Sequence, residues 1–341
     1  MERGKRTNRK HIKLFEEARD LAEAGRLDEA ENGYRKLLRV HPRSILVLGS
    51  LFSLLLERSD LAFEADDLCG ADELMDKAQA VAERLVSLDP DNSDHRRNMA
   101  VCCARYAGIR GARGDHAEEL ALHRKAMGMF ESIGLQSDVS ISLQIIAKIE
   151  RKRGDRVAAR ASLKSAIALA KKMAKLQPAD LQWRFDILNA LMRLGNMDAK
   201  EGEFGSALRH HKRMLEAARE LAAFDPDSIV SRRHLSVAME LVGESEWDLG
   251  RTEIALEYYR EGHTIAEELV ACEPDVLMWQ RDLALSHARI GRALLGLGRM
   301  KEARASLEDS REITKQLAAL GDDVERDLVT LAQDFEDLGI F

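Results

Sequence analysis

Along most of the chain the large apolar residues fall three and four apart. The stretches LALSHARIGRALLGLG (283–298) and ARASLEDSREITKQLAAL (303–320) are the clearest cases. That spacing puts one apolar stripe along a helix and leaves the other side polar. No stretch alternates convincingly as a half-buried strand would. The longest apolar run, ILVLGSLFSLLL (45–56), has twelve residues. It falls short of the ~20 needed to span a bilayer and predicts a helix buried on most sides. The expected elements are helices throughout, with no membrane insertion.

The pattern repeats. FDPDSIVSRRHL (224–235) has a counterpart of the same pattern in CEPDVLMWQRDL (272–283). The five prolines lie at 42, 90, 178, 226 and 274, all on one phase of a 48-residue period with a single 40-residue step, and Asp138 and Asp322 continue that phase. Glycines at 25, 114, 154, 202, 250 and 298 form a second marker midway between. Seven residues before each lies Ala18, Ala107, Ala147, Gly195, Gly243 or Gly291. Five after each lies Ala30, Glu119, Ala159, Ala207, Ala255 or Ala303. Small residues at both places let two helices cross closely, with the glycine as the turn between them. The proline then ends the second helix. The unit is helix–turn–helix, and such a unit buries its apolar face only by stacking on its neighbours.

This pattern resembles the tetratricopeptide repeat. In LFEEARDLAEAGRLDEAENGYRKLLRVHP, residues Leu14, Ala18, Leu21, Gly25, Ala30, Tyr34, Leu37 and Pro42 fall where that family places its apolar, small and helix-stopping residues. The resemblance implies an all-α, right-handed α-solenoid of stacked antiparallel helix pairs. It divides the chain into a basic N-terminal arm (1–10), about seven units (11–322) and a C-terminal capping helix (323–341). In the first unit the step from turn glycine to proline, Gly25 to Pro42, is that of the family. In later units, as from Gly202 to Pro226 and from Gly250 to Pro274, the step is longer by seven. Seven extra residues add about two turns, roughly 10 Å, and keep the same face inward. The second unit (43–90) has its turn glycine expected at Gly70, which leaves its small residues out of place. In the fourth unit the step from Asp138 to Gly154 falls eight short of the later step from Pro178 to Gly202. Its first helix is therefore expected to be two turns short.

Composition agrees with a helical, well-solvated chain: 341 residues, 45% apolar, 33% charged and 5% aromatic. The net charge is −7, yet residues 1–13 hold six Lys/Arg against one Glu. A basic start can touch nucleic acid or anionic lipid, but a solvated tail before the first helix accounts for it as well. Overall acidity and few aromatics argue against a nucleic-acid partner. Cys69, Cys102, Cys103 and Cys272 have no CxxC spacing and read as reduced thiols of a cytoplasmic protein. Cys102 and Cys103 read as small core residues rather than thiols activated by Arg105. Trp183 and Trp279, each five residues after a proline, read as packing between repeats.

No catalytic constellation emerges, so an enzyme, a cofactor and a metal are not expected. HExxH, GxSxG and GxxxxGK[ST] are missing. GIRGARG (108–114) ends in the repeat glycine and reads as a turn, not a phosphate loop. His210 and His211 point two ways on a helix, and His211 shares a packing slot with Tyr34, Leu163 and Tyr259.

In the tetratricopeptide family the first helix of each unit lines the concave groove. The resemblance therefore assigns to the groove Gln144, Lys148, Arg151 and Lys152; then Asn189, Arg193, Asn196 and Lys200; then Glu240 and Glu244; and finally Arg289 and Arg292. Cations and amides of this kind grip carboxylates and peptide backbone; the competing account pairs these charges with each other across adjacent helices. The function expected is a non-enzymatic scaffold that holds a peptide or protein segment. The alternative is a bacterial signalling sensor whose groove ligand switches a partner. A monomer or weak dimer is expected, with Ile340 and Phe341 in DFEDLGIF (334–341) capping the last unit or docking a subunit.

Overall fold

The computed structural model describes residues 2–319, with side chains described for 10–318. Every regular element among them is a helix. In chain order they are α1 (Glu2–Glu23), α2 (Leu27–Val40), α3 (Ile45–Glu64), α4 (Leu68–Leu88), α5 (Ser93–Ala112), α6 (His116–Ser132) and α7 (Gln136–Lys152). They continue as α8 (Arg156–Leu176), α9 (Gln182–Lys200), α10 (Phe204–Phe224), α11 (Ile229–Asp248), α12 (Thr252–Cys272), α13 (Leu277–Gly296) and α14 (Met300–Ala319). The chain forms two compact halves, Met1–Ser162 and Leu163–Phe341, with the boundary inside α8. Residues 2–10, expected as an arm, are the first turns of α1. The expected capping helix and the DFEDLGIF stretch lie outside the described residues.

The six repeat glycines all adopt φ between +72° and +82°, a conformation that a Cβ penalises. Each ends one helix and starts the next within three residues, so consecutive helices fold back as antiparallel pairs. Two turns differ from the sequence expectation. In the second unit Gly70 is not the turn. Asp66 is, at φ +61°, because the short polar side chain of Asp tolerates the left-handed region. Asp67 then caps α4, its Oδ1 accepting from the Gly70 N–H at 2.9 Å. With the turn at Asp66 the unit is regular. Asp66 lies one full 48-residue period before Gly114, and the small residues at the two crossing places are Ser59 and Ala71. They touch, the Ser59 hydroxyl donating to the Ala71 carbonyl at 3.1 Å. The other correction is in the fourth unit. Gly134, at φ +76°, ends α6 before the phase of Asp138 is reached. The shortfall is shared, and α6 and α7 have 17 residues each beside the 20 of α5 and the 21 of α8.

The core follows the crossing places. In the N-terminal half Ala18, Ala30, Leu48, Leu51, Leu55, Met75 and Leu85 are buried in one cluster. The apolar run 45–56 fills its centre on α3, leaving only Ile45 and Leu46 of the large residues strongly exposed, at 44% and 66%. In the C-terminal half a bulky residue of one helix sits on a glycine of its partner. A Cβ at Gly195 would lie 2.2 Å from the His211 ring, one at Gly243 2.5 Å from the Tyr259 ring, and one at Gly291 2.4 Å from Leu307. His211 thus occupies the packing slot expected of it. Its Nδ1 bonds to the Ser245 hydroxyl at 2.8 Å, and burial pulls its pKa down to about 4. Trp183 and Trp279 are both buried. Their indole N–H groups donate to Gln177 (3.1 Å) and Glu273 (2.9 Å), closing each proline turn onto the helix that follows.

Candidate partner-binding face

The first helices of the units carry all twelve polar groups assigned to the groove, and these groups divide by whether they are engaged within the chain. In the N-terminal half α3, α5 and α7 exchange ion pairs. Arg105 on α5 meets Asp60 on α3 at 2.5 Å, and Arg97 on α5 meets Asp138 on α7 at 3.4 Å. Arg58 on α3 reaches Asp28 at 2.6 Å and also pairs with Glu31, both on α2. Arg105 is thus engaged with a carboxylate rather than with a thiol. Cys102 is pushed up to about 12 by burial, the reverse of an activated nucleophile.

In the C-terminal half α11 and α13 build a tighter network. The Arg289 guanidinium donates to Glu240 at 2.6 Å and to Glu244 at 2.9 Å; Arg292 donates to Glu244 at 2.6 Å. Arg292 also reaches the Tyr259 hydroxyl at 3.3 Å and lies 4.9 Å over the Trp247 ring. Arg233 holds Asp282 at 2.6 Å and lies over Trp279. The sequence separations of these α11–α13 pairs, 48 or 49 residues with one at 45, show the repeat at work: the same place on successive first helices comes face to face.

Burial sets the electrostatics of this network. Glu240 is 6% exposed, and its Oε1 is buried without a hydrogen-bond partner. Burial raises its pKa to about 7 against the pull of Arg289. Burial also acts on Glu244, but Arg292 and Arg289 both bind its carboxylate and hold it below the usual range. One carboxylate therefore stays charged between two guanidiniums, while its neighbour sits near its titration point at neutral pH. Breaking a buried pair of this kind costs about 3–5 kcal/mol.

The remaining groove residues behave differently. On α7, Gln144 is half-buried, and Lys148, Arg151 and Lys152 are exposed. On α9, Asn189 and Asn196 are half-buried, and Arg193 and Lys200 are exposed. Among the described residues none of these eight side chains makes an internal hydrogen bond or ion pair. The structure thus brings Glu240, Glu244, Arg289 and Arg292 together with one another, and leaves the eight groove residues of α7 and α9 without an internal partner, five of them exposed. The pairing was readable from the 48-residue period; the burial that makes Glu240 titrate near neutrality was not.

No family model matches the sequence, and no curated protein matches it either. Solved structures do match. A signal-transduction ATPase with numerous domains from Pyrococcus horikoshii, which carries a tetratricopeptide repeat sensor, superposes with a TM-score of 0.60 at 13% identity; the match covers 92% of this chain but 44% of that one. BtubC (BKLC) from P. vanneervenii gives 0.55 at 17% identity over 74% of this chain and 91% of its own. The apo form of RapI gives 0.54 at 10% identity over 96% and 86%. At these identities the likeness is one of fold. The chain has the all-α, helical-repeat fold of tetratricopeptide-repeat proteins, with most of its helix pairs lengthened. No helix among the described residues is long and apolar enough to cross a membrane.

Proposed function

We propose that the protein is a non-enzymatic scaffold with two separate first-helix faces, α7 in the N-terminal half and α9 in the C-terminal half, each of which holds an acidic peptide or protein segment. The observation that carries this reading is the contrast in charge use. Where α3 meets α5 and α11 meets α13, groove charges neutralise each other. Lys148, Arg151 and Lys152 on α7, and Arg193 and Lys200 on α9, are exposed and have no such partner. Solvated cations of this kind give up no internal ion pair when a ligand carboxylate approaches. A set of them gives electrostatic steering and specificity for an acidic partner. Asn189 and Asn196 supply amide donors and acceptors for a peptide backbone beside the α9 cations.

Affinity purification from the native host tests the reading. Charge reversal at Lys148, Arg151 and Lys152, and separately at Arg193 and Lys200, is expected to remove an acidic partner that the wild type retains. Circular dichroism and melting temperature should be unchanged, since the altered side chains are exposed. Recovery of the same proteins by all variants contradicts it.

A further inference from the structure

A second charged feature starts at the groove cations Lys148, Arg151 and Lys152 and runs on beyond the groove face. Residues 148–175 hold ten Lys/Arg against two acids, Glu150 and Asp155, in a chain of net charge −7. Both acids are engaged. Glu150 is buried and accepts from Arg124 at 2.8 Å and Ser162 at 2.7 Å; Asp155 accepts from the Ala158 N–H at 3.0 Å. Within the C-terminal half the run continues along α8, a helix with no Asp or Glu anywhere in it. Lys164, Lys171, Lys172 and Lys175 are all exposed there and make no ion pair.

Lys171 and Lys175 form one wall of a cleft of about 440 Å³ between α8, α9 and α10. Ile187 and Leu191 make an apolar floor, and Arg184 and Arg213 also reach the cleft. The Arg184 guanidinium lies 5.0 Å over the Phe224 ring, and its Nε is buried without a hydrogen-bond partner. At roughly 100° per residue, Ile187 and Leu191 fall on the side of α9 opposite Arg193 and Asn196. This cleft is therefore distinct from the groove face and does not depend on the reading given to it.

We propose that the cleft is a second docking site, and that its occupant is a short acidic segment of a partner protein carrying one apolar residue. The apolar residue seats on Ile187 and Leu191, and the flanking carboxylates meet Lys171, Lys175 and Arg184. Charge complementarity favours a peptide over a membrane or a duplex. Glu216 and Glu220 line the α10 side of the same cleft. They repel a continuous phosphate surface, whereas a peptide places its carboxylates on the α8 wall alone and turns backbone N–H groups towards the glutamates. A cleft of this size suits one or two side chains, within the range of about 300–1,000 Å³ usual for ligand sites.

The test uses the full chain and a fluorescein-labelled synthetic peptide with one Leu flanked by Asp and Glu three and four residues away, measured by anisotropy at low salt. The expected result is binding that weakens as salt is added. Lys171→Glu with Lys175→Glu should lower affinity by roughly tenfold or more, as should Ser in place of the peptide Leu, while Lys36→Glu with Arg39→Glu, exposed on α2 outside both proposed sites, changes it less than about twofold; the α9 reversal, Arg193→Glu with Lys200→Glu, reports any binding at the groove face. Circular dichroism checks that each variant is folded. Absence of binding by the wild type, binding indifferent to the α8 reversal, or loss only with the α9 reversal overturns the proposal. Competition by phosphatidylserine vesicles or duplex DNA at lower concentration than the unlabelled peptide assigns the site to phosphates and overturns it too.

Discussion

At the scale of single residues the structure rests on close fits and on one uneasy charge. Gly243 admits the Tyr259 ring, which a Cβ would approach to 2.5 Å, while Gly49 on α3 has nothing within 4 Å. Gly243→Ala should destabilise by about 1–3 kcal/mol through overpacking. Gly49→Ala should be neutral or stabilising by up to ~1 kcal/mol, because the helix gains propensity without a clash. Denaturant titration of the two variants separates these outcomes. Glu240 is the uneasy charge. Its folded pKa of about 7 lies above the ordinary 4.5, so the folded chain binds the extra proton between those values. Stability then falls as pH rises from 4.5 to 7 and levels off above. Glu240→Gln removes that titration while leaving an acceptor for Arg289. Relative to wild type the variant should gain on the order of 3 kcal/mol between about pH 4 and pH 8, and melting curves across that range check the sign. A gap that narrows as pH rises contradicts the assignment.

At the scale of elements, most turns were legible and two were not, for a physical reason in each case. The six repeat glycines announce themselves because left-handed φ carries no Cβ penalty for glycine. Asp66 hides because Asp also enters that region, and a search for glycine passes over it to Gly70. The 48-residue period, followed back from Gly114, finds it. Gly134 hides because the proline phase points to Asp138, and only the positive φ at Gly134 shows where α6 ends. Asp66→Gly should stabilise by up to ~1 kcal/mol, and Asp66→Val should destabilise by more than that. A thermal melt that ranks the two the other way would mean that Asp66 is held by side-chain contacts rather than by its backbone. The ion pairs between first helices were legible as well, since residues one period apart come face to face. The basic second helix α8 lies outside the first helices that line the groove in tetratricopeptide-repeat proteins, although the run of cations from Lys148 to Lys175 stands plainly in the sequence.

At the scale of the whole molecule the chain uses one repeat for two purposes. Within each half the crossing residues hold the helix pairs together through packing that tolerates little change. The first helices carry charges that are internally spent in some places and left to solvent in others. The buried titratable groups Glu240 and His211 are enclosed by packing, an ion pair and a hydrogen bond. The central claim is that the exposed cations of α7 and α9 recognise an acidic partner. The measurement that tests it most directly is quantitative affinity purification from the native host with three baits: wild type, the charge-reversed α7 variant and the charge-reversed α9 variant. The account predicts acidic proteins enriched by the wild type and depleted with the folded variant of the face that holds them. Equal recovery by all three baits would contradict it and leave those five cations as solvated surface.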